Sequence, residues 1–264
     1  MRYLEVQFPY LLRQRDSVDK FVLAVQRAGD NERAWVRRME REHPGKFEVV
    51  EVRRPHQDSA SVSPLLREKF NDEDTLYVKL DDDIVFIEDG TLDAMFRYKE
   101  DHPECAIVYP NIINNTVTSY LHQHRFVFDR NRGTCSWSSW CGTSWKGEHF
   151  AEHVHRTFLR DAFAGNLDAY RFPPFPLLDY QRMSIGAICY SGAQLRKILG
   201  RLSDDCEVEM AVILPKAFDH PPVVLGEKIV SHFSYHTQDG HLGRTDVLEQ
   251  YRRLAQEYGK NDPH

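Results

Sequence analysis

Three consecutive aspartates, Asp81-Asp82-Asp83, carry the strongest chemical demand in this sequence, because an apolar run (LYVKL) precedes them and another (IVFI) follows. Like charges a few ångströms apart raise one another's pKa and resist burial, so such a run needs a compensating charge. A hard divalent cation with oxygen ligands supplies it, and phosphate oxygens of a bound substrate can complete its shell. Other groups could do chemistry. The string SDDCEVEMAV puts Asp205, Glu207 and Glu209 at or just before a helix start, where a carboxylate serves as a general base or simply favours the helix dipole. His149, Glu152 and His153 have the spacing HxxEH, with two imidazoles four residues apart on one helical face, which suits a metal. His232 closes the strand-like IVSHF, either as a ligand or as a half-buried strand-end histidine.

A folded core must position these groups, and 264 residues with 41% hydrophobic content suffice for one compact domain. Net charge is -6 and the basic residues are scattered among acids, so no phosphate-tracking stripe is visible and nucleic acid is not an expected partner. The N-terminus has no long apolar leader, and no stretch reaches the ~18 apolar residues that a bilayer demands. A cytoplasmic protein without a transmembrane segment is the expectation. Five cysteines, an odd count with no CxxC pair, fit buried thiols better than a disulfide framework or a zinc knuckle.

Hydrophobic periodicity predicts strands over Lys20–Val25 and Phe47–Val52 around a helix Glu32–Glu42, which is βαβ logic. Ser63 and Pro64 suit the N-cap and first turn of a short helix through Lys69, and Thr75–Leu80 reads as a buried strand that ends at the acidic run. A helix Thr91–Asp101, stopped by His102-Pro103, leads into a strand Cys105–Tyr109. From Asn111 to Tyr180 the pattern predicts pocket-shaping loops and short helices, with one longer helix over Glu148–Phe163. Next come a strand Met183–Tyr190, helices near Ala193–Leu202 and Val208–Phe218, and a strand Glu227–Phe233. A C-terminal helix from about Asp246, capped by Thr245, closes the chain. The expectation is a single α/β domain whose mixed, mostly parallel central sheet is covered by helices on both faces. Its ligand crevice would lie at the C-terminal strand ends, where Asp81–Asp83 falls.

VKLDDDIVFIEDG, coming after two βα units, resembles the DxD region of glycosyltransferases of the GT-A fold. It is more closely similar to the glycosyltransferase-like proteins of fungi and large algal viruses that carry a Lys/Arg-x-Asp-Asp-Asp-Ile-Val-like segment. PNIINN (Pro110–Asn115), Trp145–Leu159, SIGAICYSG and EKIVSHFSYHTQ (Glu227–Gln238) extend the resemblance over most of the chain. It implies a GT-A-like (Rossmann-like) domain, with residues 1–110 as the nucleotide-sugar half and 111–264 as the acceptor-binding and metal-completing half. It also implies Mn²⁺ or Mg²⁺, a UDP- or GDP-sugar donor, and sugar transfer to a glycan or polysaccharide hydroxyl.

Position by position, the resemblance makes Asp81 and Asp83 metal ligands, with Asp82 and Asp81 touching the donor, and His232 the ligand that completes the metal site. Phe8–Arg13, with Pro9 and Arg13, would occupy the first strand-to-loop position beside the nucleotide, and Arg13 would reach phosphate. An inverting enzyme also needs a base near the acceptor; Glu207, with Asp205 beside it, matches a frequent location. Retention would not require it. Trp145, His149 and His153, joined by His122 and His124, would line the acceptor side.

Two rival patterns exist. Asp81-Asp82-Asp83-Ile84-Val85 also resembles the DxDx(T/V) signature of haloacid-dehalogenase-type phosphotransferases, with Asp81 as nucleophile. That signature normally closes the first strand of its domain, whereas two βα units precede it here. HxxEH resembles the inverted zincins and implies a zinc hydrolase using His149, Glu152 and His153, but leaves the acidic run unexplained. A calcium-stabilised binding module is disfavoured by the lack of a DxDxDG-type loop.

Overall fold

The computed structural model describes residues 2–26, 28–52 and 62–260. The chain opens with helix α1 (Leu4–Arg13), not with the strand-to-loop segment expected of Phe8–Arg13. Val6, Tyr10 and Leu11 are buried at helical spacing, with Phe8 beside them. Pro9 lies inside this helix and forfeits one backbone hydrogen bond, a loss that burial of those side chains outweighs. Strand β1 (Phe21–Val25), helix α2 (Asp30–Glu42) and strand β2 (Phe47–Glu51) follow as predicted, with β1 and β2 paired in parallel. In α3 (Ser63–Glu68) Pro64 occupies the first turn, but Ser63 lies within the helix and donates to Ser203 O instead of capping.

Strand β3 (Leu76–Leu80) runs into Asp81–Asp83, and β4 (Ile84–Ile87) begins immediately after. Helix α4 (Thr91–Asp101) has the predicted bounds, whereas β5 (Val108–Ile113) starts later than expected and absorbs the first four residues of PNIINN. Helices α5 (Thr116–His124), α6 (Gly142–Lys146) and α7 (Glu148–Phe163) occupy the expected pocket-shaping region, before strands β6 (Phe175–Pro176) and β7 (Ala187–Ser191). A helical turn α8 (Gly192–Leu195), a π-helical stretch Glu209–Ile213 continuing into α9 (Leu214–Ala217), and the long strand β8 (Val223–His232) come next. Helices α10 (Asp239–Leu242) and α11 (Val247–Lys260) close the chain, and Thr245 Oγ1 accepts from Val247 N as the predicted cap.

The main sheet has the order β3-β7-β5-β8-β4, with β6 attached to β8. Its β5–β8 pair is parallel; β3–β7, β5–β7, β4–β8 and β6–β8 are antiparallel. The sheet is therefore mixed, and the mostly parallel arrangement expected holds only for β1–β2 and β5–β8. Apolar runs report burial, not the direction of a neighbour, which is why pairing was misjudged. β3 is an edge strand and only partly buried along its length, contrary to expectation. β3 and β4 end the strand order on opposite sides, yet three residues join them. Four flat strand spacings would need ~19 Å, whereas the four steps from Leu80 to Ile84 span at most ~14 Å, so the sheet must curl at the acidic turn.

Helices cover both faces, as predicted. Neighbouring β5 residues Val108 and Tyr109 enter different apolar clusters, as do Ile188 and Cys189 of β7. Met95 of α4 packs with Val108 and Cys189, while α1, α7 and α11 pack Tyr10, Phe158 and Tyr258 around Phe86 of β4 at ring distances of 5.2–5.4 Å. All five cysteines are free and buried. Among the described residues no helix is long and apolar enough to cross a membrane.

Candidate active site

The turn Asp81–Asp83 is pinned from three sides. Asp81 N donates to Gly186 O (2.7 Å) ahead of β7, and Asp81 O accepts from Gln7 Nε2 of α1 (2.9 Å). Asp83 O accepts from Phe233 N (2.9 Å) just beyond β8. Because Ile84 is in register with His232, the end of β8 delivers its imidazole to the turn, and His232 Nε2 lies 3.2 Å from Asp83 Oδ2. The other ring nitrogen, Nδ1, lies 3.1 Å from Asn114 O. A carbonyl only accepts, so Nδ1 carries a proton and Nε2 is the atom aimed at Asp83.

Asn114 is held in the left-handed region (φ 58°), which asparagine tolerates better than most residues. Its Nδ2 donates to Phe233 O (2.9 Å) and Gln238 Oε1 (3.0 Å), while Asn115 Oδ1 caps α5 through Val117 N (2.9 Å). Behind this layer, buried His155 of α7 donates from Nε2 to Phe233 O (2.7 Å) and accepts at Nδ1 from Tyr251 Oη (2.9 Å). Burial keeps His155 neutral by lowering its pKa to about 4, as that network requires.

The electrostatics divide the acidic run. Burial favours a neutral His232 ring, but the Asp83 charge and hydrogen bonds to Asp83 and Asn114 O outweigh it and raise the pKa to about 9. Burial likewise opposes ionisation of Asp83, and the His232 charge with a Ser234 backbone hydrogen bond reverses this, leaving its carboxyl below the ordinary value. Asp82 is shifted upward, by loss of water and then by the charges of Asp83 and Asp81. Among the described residues no ion pair reaches Asp82, whereas Asp81 is ion-paired with Lys79.

The structure thus joins Asp83 and His232 but does not gather the full expected set. No three of Asp81, Asp82, Asp83 and His232 bring ligand atoms within 4.8 Å of one another; among the described residues His149, Glu152 and His241 do. The Asp83–His232 pair itself fits an octahedral dication, since two ligands at right angles and ~2.1 Å from a metal lie ~3.0 Å apart. Asp81 could join after release from Lys79.

Glu207 begins the helical stretch leading into the π-helix and accepts from Arg182 Nε (3.0 Å). Burial, and to a lesser extent the Glu207 charge, pushes up the phenols of Tyr109 and Tyr235, and the Tyr235 ring packs edgewise on His232 at 4.9 Å. Glu207 is thus within electrostatic range of Tyr235, the ring that packs on His232. Arg182 also lies 4.9 Å from the ring centre of Trp140, which is 59% exposed and packs edgewise on Trp145 (5.1 Å). Trp145 in turn meets His236 at 5.7 Å. Trp140, Arg182, Tyr235 and Asn114 are not singled out by the sequence; Trp140 lies in SWSSWCGTSW, Asn114 in PNIINN and Tyr235 in EKIVSHFSYHTQ, while Arg182 carries no such signal.

Several expected residues lie elsewhere. Asp205 is exposed, and its Oδ1 faces Glu207 N at 3.4 Å as a turn contact, so it makes no link to the site. Arg13, in the last turn of α1, pairs with Asp89 (Nε to Oδ1 2.8 Å) and Tyr258 O (2.7 Å) at the other end of β4. Neither Arg13 nor Pro9 occupies a strand-to-loop position, because their segment is helical; Gln7 is the α1 residue that reaches the acidic turn. His122 is buried among Phe128, Tyr170 and Phe172, and exposed His124 folds onto Tyr120 O, so neither lines an acceptor side. His153 accepts from Asp129 N (3.4 Å), away from His149 and Glu152, which breaks the HxxEH constellation. A concavity of about 540 Å³ lined by Glu88, Arg171 and Lys228 lies beyond the C-terminal end of β4, beside the middle of β8, where Arg171 and Glu88 already satisfy each other.

No family model matches the chain, and neither a curated protein nor a solved structure is significantly similar to it.

Proposed function

We propose that this chain is a divalent-metal-dependent glycosyltransferase of GT-A-like architecture, taking a UDP- or GDP-sugar and transferring the sugar to an acceptor hydroxyl. The observation that carries the reading is the Asp83–His232 contact (3.2 Å), formed by residues distant in sequence at the end of an acidic run whose Asp82 has no ion-pair partner among the described residues. Asp83 Oδ2 and His232 Nε2 would hold Mn²⁺ or Mg²⁺, with Asp81 or Asp82 adding a carboxylate. When bound, the metal supplies Lewis-acid charge to the departing diphosphate. Asn114 O orients the His232 ring for this duty. Arg182 and exposed Trp140 form one wall beside Glu207, and aromatic faces suit the apolar face of a sugar ring. In this reading Glu207 takes the acceptor's proton if the transfer inverts.

The test is a thermal-shift series with UDP-, GDP- and dTDP-sugars with and without Mn²⁺, since a ligand binding only the folded state raises Tm. The expected result is a rise that needs both nucleotide and metal and disappears in Asp83→Ala. A nucleotide shift without metal, or one retained in Asp83→Ala, overturns the reading. Glu207→Gln should lose sugar transfer while keeping the metal-dependent nucleotide shift, and near-normal transfer removes it as the base.

A further inference from the structure

A second cluster lies outside the cleft. His149 and Glu152 stand three residues apart on the first turns of α7 and so share one face of that helix. His241 of α10 comes to the same point from near the other end of the chain, and its Nε2 lies 2.6 Å from Glu152 Oε2. The His149 and His241 rings pack edgewise at 4.7 Å, and the three ligand atoms lie within 4.8 Å of one another. His149 is exposed, and the other two are partly so, leaving the cluster open to an entering ion.

We propose that His149, Glu152 and His241 form a binding site for a transition-metal dication of the Zn²⁺ class, which ties α7 to the turn preceding α11. Two imidazoles and one carboxylate are a donor set that Zn²⁺ prefers over Mg²⁺, with water left as the fourth ligand. Tetrahedral Zn²⁺ at ~2.05 Å separates neighbouring ligand atoms by ~3.3 Å, so the widest pair here needs to close by up to ~1.5 Å, and the Glu152–His241 pair, now 2.6 Å apart, to open by ~0.7 Å. His149, at the surface, has the rotamer freedom to supply that movement. The other two ligands are already oriented. Glu152 Oε1 accepts from Arg156 Nε (2.8 Å), and Arg156 also donates to Asp246 Oδ1 (2.8 Å), which balances its charge. The segment bearing His241 is anchored by buried Gln238, which donates to Ser144 O (2.8 Å) and accepts from Asn114 Nδ2. A helix N-terminus opposes a nearby cation, and the Glu152 carboxylate offsets that. Metal binding needs the Nε2 lone pair of His241, so in a neutral ring the proton moves to Nδ1 and the bond to Glu152 is exchanged for two metal bonds.

Of the residues that the resemblance implies for sugar transfer this site takes only His149, expected on the acceptor side, and none of those given a role under the proposed function, so its test is independent of that reading. The full chain, stripped with chelator, is titrated with Zn²⁺ by calorimetry and with Co²⁺ by visible absorption, which intensifies at a four-coordinate site. The wild type and Asp83→Ala should both bind with the Co²⁺ band. His241→Ala and His149→Ala should weaken binding by about 100-fold or more, since loss of even an outer-shell partner costs 10–100-fold. His153→Ala should be unaffected, and circular dichroism verifies that each variant is folded. Binding that survives in both His241→Ala and His149→Ala, that vanishes in His153→Ala, or that is absent from the wild type overturns the proposal. Loss of the band in Asp83→Ala alone would place the metal at the acidic turn and equally overturn it.

Discussion

Asp83→Asn probes the contact on which the functional reading rests, because it removes one charge and almost no volume. In the fold His232 titrates at about 9, against ~6.5 in the unfolded chain. A raised pKa means that the native state binds the proton more tightly, so the stabilisation is complete below ~6.5 and disappears as pH rises through ~9. Linkage over that interval gives about 3 kcal/mol at pH 6, about 2 kcal/mol at pH 7.5 and almost nothing at pH 10. In Asp83→Asn the Asp83 charge is gone, burial dominates, and His232 becomes a neutral ring. The variant also bears the cost of keeping that ring neutral, about 0.8 kcal/mol at pH 6, so it should be less stable than the wild type by about 4 kcal/mol at pH 6, with the gap closing by pH 10. Urea unfolding of both proteins with metal chelated, at pH steps from 6 to 10, measures this gap directly, and other titrating groups cancel in the difference. A gap that stays constant or widens with pH would refute the ion-pair reasoning.

Metal binding at the same place must displace the proton of His232 Nε2, so apparent Mn²⁺ affinity should fall about ten-fold per unit as pH drops below ~9; calorimetry showing a pH-independent affinity removes His232 from the metal's ligands. His122 has neither ring nitrogen hydrogen-bonded among the described residues, and burial lowers its pKa to about 3. A depressed histidine pKa stabilises above ~6.5 and that contribution is lost as pH falls. His122→Phe should thus equal or exceed the wild type at neutral pH by about 1 kcal/mol and gain about 1.4 kcal/mol more per unit below pH 6.5, as followed by acid-dependent urea midpoints; net destabilisation at pH 5 would contradict it. A Cβ at Gly226 would meet Phe172 Cδ2 and Phe172 O, both at 2.2 Å, so Gly226→Ala should cost about 2 kcal/mol or more in urea unfolding, and a neutral outcome would mean that the Phe172 segment yields freely.

Local chemistry made much of this protein readable before any fold was known. Helices α4 and α7 lie at the predicted bounds, because Gly90 and Gly147 precede them and residues unsuited to continuing a helix follow, signals that act within one turn. The acidic run at a strand end and the buried, unpaired cysteines were equally legible from residue type and order. The strand-to-loop position expected of Phe8–Arg13 came from the resemblance and not from local pattern; the segment is helical despite its internal proline because it packs on β4 and α11.

What depended on the tertiary structure was pairing across distance. Strand direction and edge position in the β3-β7-β5-β8-β4 sheet come from neighbours that no single segment encodes. The same holds for the histidines, since His232 was identifiable as a candidate but its Nε2 is aimed at Asp83 by Asn114, from a different strand end. His149 and Glu152 declared a helical face by their spacing, yet their third partner is His241 and not the adjacent His153. Periodicity places side chains on a face; which face meets which is decided by closure of the core, where every apolar surface must be buried at once.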